Sequence, residues 1–240
     1  MKKPLGRDSD IDCHMLDIGP RTVPLRVRRN SRARRMILRI DADNDGAVVT
    51  LPPRVKIEEG LAMARGQTDW IAEKLSDLPR RVMFANGAVI PLAGVPHRIC
   101  HDPNARRGVR RENDDLVVSG RPEHLPRRLS DWLKAEAKRT IAPLAREKAA
   151  MIGKKPSSIT VRDTRSRWGS CSATGGLSFS WRLLLAPDWV LEYVVSHEVA
   201  HLQHLNHSDA FWQVVDGLTE HMDDARQWLN EHGTGLHRYG

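Results

Sequence analysis

The sequence predicts an α+β chain, with a basic, β-rich region ahead of a helix-rich C-terminal half. Three observations carry that prediction. Short apolar segments separated by turn residues crowd residues 21–121. A long stretch of helical spacing runs from about Glu123 to Ile152. Two further strand-like segments then lead into an apolar helix loaded with histidine. At 240 residues the chain can bury a core in one large domain or two small ones. The expected partition is a flexible tail over 1–20, the β-rich region over 21–121 and a second domain over 122–240, divided near Gly120-Arg121-Pro122.

The elements follow in chain order. "TVPLRVRR" and "RRMILRID" read as strands joined by a short "NSRA" turn, an arginine-rich β-hairpin. "DADNDG" is a turn before a strand in "AVVTLP". "KIEEGLAMARGQTDWIAEKLSDL" has helical spacing through Leu61, Ala64, Trp70, Ile71 and Leu75, weakened at Gly66 and stopped by Pro79. "GAVIPLAGVPHRICH" and "DDLVVSG" add short strands. In the long helix, Trp132, Leu133, Ala137, Ile141, Leu144 and Ala145 form one apolar stripe, and Pro143 is expected to kink or split it. "SSITVRD" and "GLSFSWRLLL" read as strands around a turn at Gly175-Gly176. Pro187 and Asp188 open a helix expected to run through His204. Further helices are expected from Ser208-Asp209 and over His221 to Asn230.

Composition narrows the setting. No apolar run reaches the ~18 residues of a membrane span, and the N-terminal lysines precede no apolar stretch of a secretory signal. Cys13, Cys100 and Cys171 are odd in number and widely spaced, which fits a reducing cytoplasm better than a disulfide framework. Charge is uneven. Residues 188–232 carry nine acids and one base, whereas residues 21–40 carry eight arginines and no acid. Arg28, Arg29, Arg34 and Arg35 of that stretch are candidate contacts for nucleic-acid phosphates, without interleaved aromatics for base stacking.

The chemistry concentrates in "YVVSHEVAHLQHLNHSDAFW" (193–212). His197, Glu198 and His201 form His-Glu-x-x-His. On a helix, residues four apart share a face, so the two imidazoles can reach one zinc ion at about 2.0–2.1 Å. Glu198 can take a proton from a water activated by that ion and pass it to a leaving amine. A catalytic zinc needs a third protein ligand. His204 shares the face but lies about 10.5 Å from His197 along a straight axis. His207 can return from another direction if the chain turns at Asn206. That favours His207 over His204 or a later acid such as Glu220. Tyr193, one turn before His197, is a candidate substrate contact; Trp189, Val194, Phe211 and Trp212 read as packing. Upstream, "TRSRWGSCSATGGLSFSW" places Arg167 as a candidate oxyanion contact beside a strand suited to pairing with an extended peptide. Cys171 reads as a small buried hydrophobe.

"RWGSC", "LSFSWRLLLAP" and the histidine segment together resemble the YgjP-like zinc metallopeptidases, relatives of the SprT-like and WLM proteases. The resemblance is strong from about Ser158 to Trp228 and looser upstream, through the arginine-rich segment and "GQTDWIAEKL". It implies zinc at His197, His201 and His207, Glu198 as acid/base, and a zincin-like domain with a small twisted sheet packed on the motif helix. Many members carry an Asn near position 180; Ser180 stands there, so that role does not transfer. The spacing also matches the metzincin pattern, but His204 replaces its glycine.

The expectation is a cytoplasmic peptidase using one zinc ion per chain, acting on a peptide or protein and without a membrane partner. Two rivals stand beside it. One is a metal-dependent hydrolase of a nucleotide or other phosphorylated small molecule, although no Gly-rich phosphate loop adjoins the motif. The other is a nucleic-acid-associated protease tethered by its arginines. An inactive adaptor with structural zinc is disfavoured by the intact Glu198.

Overall fold

The computed structural model describes residues 11–42, 44–106 and 108–240. These form an α+β chain of two compact units, 1–80 and 81–240. No described helix is long and apolar enough to cross a membrane.

In the first unit, β1 (Ile11–Ile18), β2 (Arg21–Arg29), β3 (Ile37–Asp41) and β4 (Gly46–Leu51) form one sheet in the order β1-β2-β4-β3. Two expectations are corrected here. Residues 11–18 of the expected tail are a strand, paired antiparallel with β2 across Gly19-Pro20; residues 1–10 lie outside the described residues. The arginine-rich segment is also not a hairpin. β4 lies between β2 and β3, parallel to the first and antiparallel to the second. The reason is burial. Ala47, Val49 and Leu51 are fully buried, so β4 belongs in the middle of the sheet. The tight turn is the one at Asp41–Gly46, where Asn44 N–H donates to the Asp41 carbonyl and Asp45 takes a left-handed φ of 48°. Helices α1 (Ile57–Arg65) and α2 (Thr68–Ser76) break at Gly66-Gln67 and cover one sheet face. Leu25, Val27, Val49 and Leu51 pack there with Ala64, Ile71 and Leu75. Gly60 permits the close approach, since a Cβ would lie 2.8 Å from Leu51. The opposite face carries Arg26, Arg28 and Arg39.

The second unit begins 40 residues before the expected boundary at residue 121. Its first sheet holds β5 (Val89–Leu92), β6 (Val95–His101), β7 (Val109–Glu112) and β8 (Asp115–Val118), in the order β5-β6-β8-β7. Ile90, Ile99, Leu116 and Val118 enter the same core as the C-terminal helices, and that shared core assigns residues 81–121 to the C-terminal unit. Val82 also bridges to Tyr239. The second sheet, β10-β11-β9, comprises β9 (Ser158–Arg162), β10 (Gly169–Cys171) and β11 (Gly176–Ser180). The Gly175-Gly176 turn therefore joins β10 to β11, and β9 lies parallel to β11. "WRLLL" is a 3-10 turn rather than strand, with Ser180 Oγ accepting from Arg182 N–H at its start.

Helix α3 (Leu125–Met151) is continuous through Pro143. Buried Leu129, Leu133, Ala137, Ile141, Ala145 and Ala149 on both sides of the proline hold it against the core, which outweighs the one lost hydrogen bond. Helix α4 (Asp188–Ala200) ends in a turn at His201, short of the expected His204. Helices α5 (Asp209–Asp216) and α6 (Met222–Leu236) follow. One polar clamp ties α3, α4 and the turn after α5. Lys148 Nζ, on α3, pairs with the Glu192 carboxylate on α4 and donates to the Leu218 carbonyl, while Thr219 Oγ1 donates to Glu192 at 2.9 Å. The Lys148 and Glu192 side chains are only 13% and 23% exposed. Lys148→Met leaves Glu192 without its cation and is expected to cost about 2 kcal/mol. The measurement is a lower urea midpoint at unchanged m-value; an unchanged midpoint would mean that the clamp contributes no net stability.

Candidate metal centre

Helix α4 is apolar almost all round, and it is buried because every neighbouring element packs on it. Val190, Leu191, Val194, Val195, Val199 and Ala200 supply the core contacts. Into that helix the sequence inserts His197 and Glu198, with His201 at its C-terminal cap. The chain then turns through 202–208 and starts α5, which brings His207 back over the end of α4. The ligand nitrogens of His197, His201 and His207 all lie within 4.8 Å of one another. Among the described residues they are the one group of three or more His, Cys, Asp or Glu side chains that converges this way. His204, Glu220 and Cys171 stand outside it.

The donor set fits a metal ion by three observations. The Nε2 atoms of His197 and His207 are 3.2 Å apart. Two nitrogens on the edge of a tetrahedron around an ion at 2.0–2.1 Å would be separated by about 3.3 Å. Second, His201 Nδ1 donates to the His204 carbonyl at 2.9 Å, which leaves the lone pair on Nε2, the tautomer a ligand requires. His204 therefore serves through its backbone, a role its imidazole did not advertise. Third, burial, reinforced by the neighbouring His201 and His207 rings and by Arg226, pushes His197 down to about 4. It is thus neutral over the whole physiological range and holds no proton that a metal must displace. His201 is lowered as well, chiefly by burial.

The aromatic surroundings are more specific than packing alone. Phe211, fully buried, has its ring centroid 5.0, 4.5 and 4.9 Å from those of His197, His201 and His207. It forms the apolar floor under all three imidazoles. Trp212 stacks on His207 at 5.7 Å, and the Arg226 guanidinium lies over the Trp212 ring at 5.1 Å. Tyr193 is 6% exposed and lies edge-on to His197 at 6.0 Å, so it supports the ring more than it faces solvent.

Glu198 is 7% exposed, and its burial pushes the carboxyl up to about 7, with the Arg167 guanidinium pulling in the opposite direction. Arg167 itself is exposed, and its carbonyl accepts from Thr164 Oγ1 at 2.9 Å. The Cys171 thiol is pushed up by burial and by the Glu198 charge, and it is not a ready nucleophile. Gly169 is the residue that sequence reasoning passed over. It begins β10, and a Cβ there would lie 2.4 Å from Glu198 Cγ and 2.6 Å from Oε1. The Glu198 side chain lies flat against this bare backbone. The signal was present in "RWGSC", because a lone Gly at the start of a strand marks close approach of another group. β10 is an edge strand beside α4, whereas Arg28, Arg29, Arg34 and Arg35 all lie in the first unit.

A family model for the YgjP-like metallopeptidase domain matches residues 34–232. Neither curated proteins nor solved structures returned a match. The matched span covers most of the chain and includes α4, the three histidines, Glu198 and Gly169. A metallopeptidase domain implies a metal ion and a peptide or protein substrate. The chain belongs to the YgjP-like metallopeptidase family.

Proposed function

We propose that the protein is a zinc-dependent peptidase in which His197, His201 and His207 hold the ion and Glu198 is the general base. The observation that carries this reading is the convergence of three histidine nitrogens, from α4, its C-terminal cap and the following turn, beside the buried Glu198 carboxylate. Three imidazole nitrogen donors suit zinc better than magnesium or calcium, which prefer oxygen. A zinc ion held by these histidines would supply Lewis-acid chemistry to a water and a peptide carbonyl, and its charge would favour ionised Glu198.

The chain's own groups do the rest. Ionised Glu198 accepts a proton from the attacking water and returns it to the leaving amine. The bare backbone at Gly169 keeps that carboxylate in place. The free edge of β10 offers backbone groups to an extended peptide, and exposed Arg167 offers a cation to the developing oxyanion. Tyr193 acts through His197 by packing. A cytoplasmic setting belongs to the same reading and is supported by three free cysteines.

The test is metal content by plasma mass spectrometry on untagged protein and on His207→Ala. About one zinc per chain in the parent and at least a tenfold loss of affinity in the variant are expected. A folded parent without metal, or a variant that keeps it, overturns the assignment.

A further inference from the structure

The arginines that the peptidase chemistry leaves unused gather in one place. In the first unit a groove of about 700 Å³ is lined by Arg28, Arg32, Arg34, Arg35 and Arg39, with Thr50 and Ile37 at its base. It lies on the sheet face opposite α1 and α2. Arg28, Thr50 and Ile37 are register partners across β2, β4 and β3, so they form one row on that face. Arg39 stands two residues further along β3.

Three features set this groove apart from a merely solvated charged surface. Among the described residues no acidic side chain lines it. The nearest described acid on that face, Asp41, already pairs with Arg26 at 3.3 Å. Arg28 is also held in place: its Nε donates to Thr50 Oγ1 at 3.1 Å, and the backbone of the loop carrying Arg32, Arg34 and Arg35 turns at Asn30, whose Oδ1 accepts from Arg32 N–H at 2.9 Å. Arg29, in contrast, donates to the Pro53 and Val55 carbonyls and leaves the set.

We infer that this groove binds the phosphate backbone of double-stranded nucleic acid, independently of sequence. Guanidinium forks match phosphate oxygens in pairs. Among the described residues no aromatic side chain lines the groove, so it lacks the stacking platform that single strands require. A duplex presents the densest regular line of phosphates, and its affinity comes from neutralising them. The peptidase centre is thereby given a means of localisation, separate from its chemistry.

The test is anisotropy of a labelled 24-base-pair DNA duplex of arbitrary sequence with the full chain, titrated in potassium chloride. If all five arginines meet phosphates, log affinity falls against log salt with a slope of about −4.5, a loss of several hundredfold between 50 and 200 mM. Arg34→Ser/Arg35→Ser should flatten the slope by about 2. A charge-matched control on α3, Arg127→Ser/Arg146→Ser, should leave it unchanged. A shuffled duplex should bind equally, and a single strand of the same length more weakly. An unchanged slope in the groove variant, an equal loss in the control, or preference for the single strand or for phosphatidylserine vesicles overturns the inference. Circular dichroism of the groove variant keeps misfolding apart from loss of binding.

Discussion

Glu198→Gln is expected to keep its metal, to lose peptide hydrolysis by about 10²–10⁴-fold, and to be more stable than the parent when metal-free at alkaline pH. The first two effects follow from its proposed role as base, since glutamine is isosteric and cannot accept the proton. The third follows from burial. In the folded metal-free chain the carboxyl is pushed from its ordinary 4.5 up to about 7. For an acid whose folded value is raised, ionisation is what the fold opposes. The penalty is absent below about 4.5, grows as pH rises and is complete above about 7. The gap corresponds to about 3 kcal/mol. Urea unfolding with chelator present should therefore show the variant ahead of the parent by that order at pH 8, with the two converging near pH 4.5. A gap that does not change with pH would remove the burial argument. Retained turnover in the metal-loaded variant would remove Glu198 as base. The two readouts separate stability from chemistry at one residue, and a catalytic group held at a cost to the fold is where they should diverge.

Gly169→Ala is expected to lower kcat by about 10²-fold while metal content and KM stay near the parent's. The added methyl would occupy the space of Glu198 Cγ and Oε1, at 2.4 and 2.6 Å. Either the carboxylate swings to another rotamer or β10 retreats, and both displace the base from the histidines. The role is one of position, so it must depend on Glu198. In the Glu198→Gln background the same substitution should cost little further activity. Full additivity of the two losses would sink the idea, as would a collapse of the urea midpoint that accounts for the loss by unfolding.

Much of the site was legible in the sequence because helical spacing is a local property. The i, i+4 relation of His197 and His201 places both on one face at the end of α4 without any knowledge of the rest of the fold. The return of His207 was also legible, since three histidines along one rod cannot surround an ion and Asn206 invites a turn. The role of His204 was not. Its imidazole drew the eye, but its carbonyl does the work, and backbone groups carry no mark in a sequence. The buried floor made by Phe211 was read as ordinary packing for a similar reason: one apolar residue looks like another until its neighbours are known.

What the sequence determined by itself was the α+β class, the apolar stripe of α3, the histidine constellation with its adjacent carboxylate, and the concentration of arginine between residues 21 and 40; that α3 runs unsplit past Pro143 was decided by its packing. Tertiary structure alone decided which strands pair, where the units divide, and what lies against Glu198. The arginine segment looked like a hairpin because adjacency in sequence is the cheapest pairing. Burial of Ala47, Val49 and Leu51 instead drew β4 between β2 and β3, and so turned two arginine-bearing strands into the walls of one groove. The unit boundary moved to residue 80 because the strands over 89–118 share the core of α3 and α4. Local periodicity is set by the covalent geometry of the chain, whereas strand order, shared cores and the bare backbone at Gly169 come from apolar surfaces far apart in sequence finding one another.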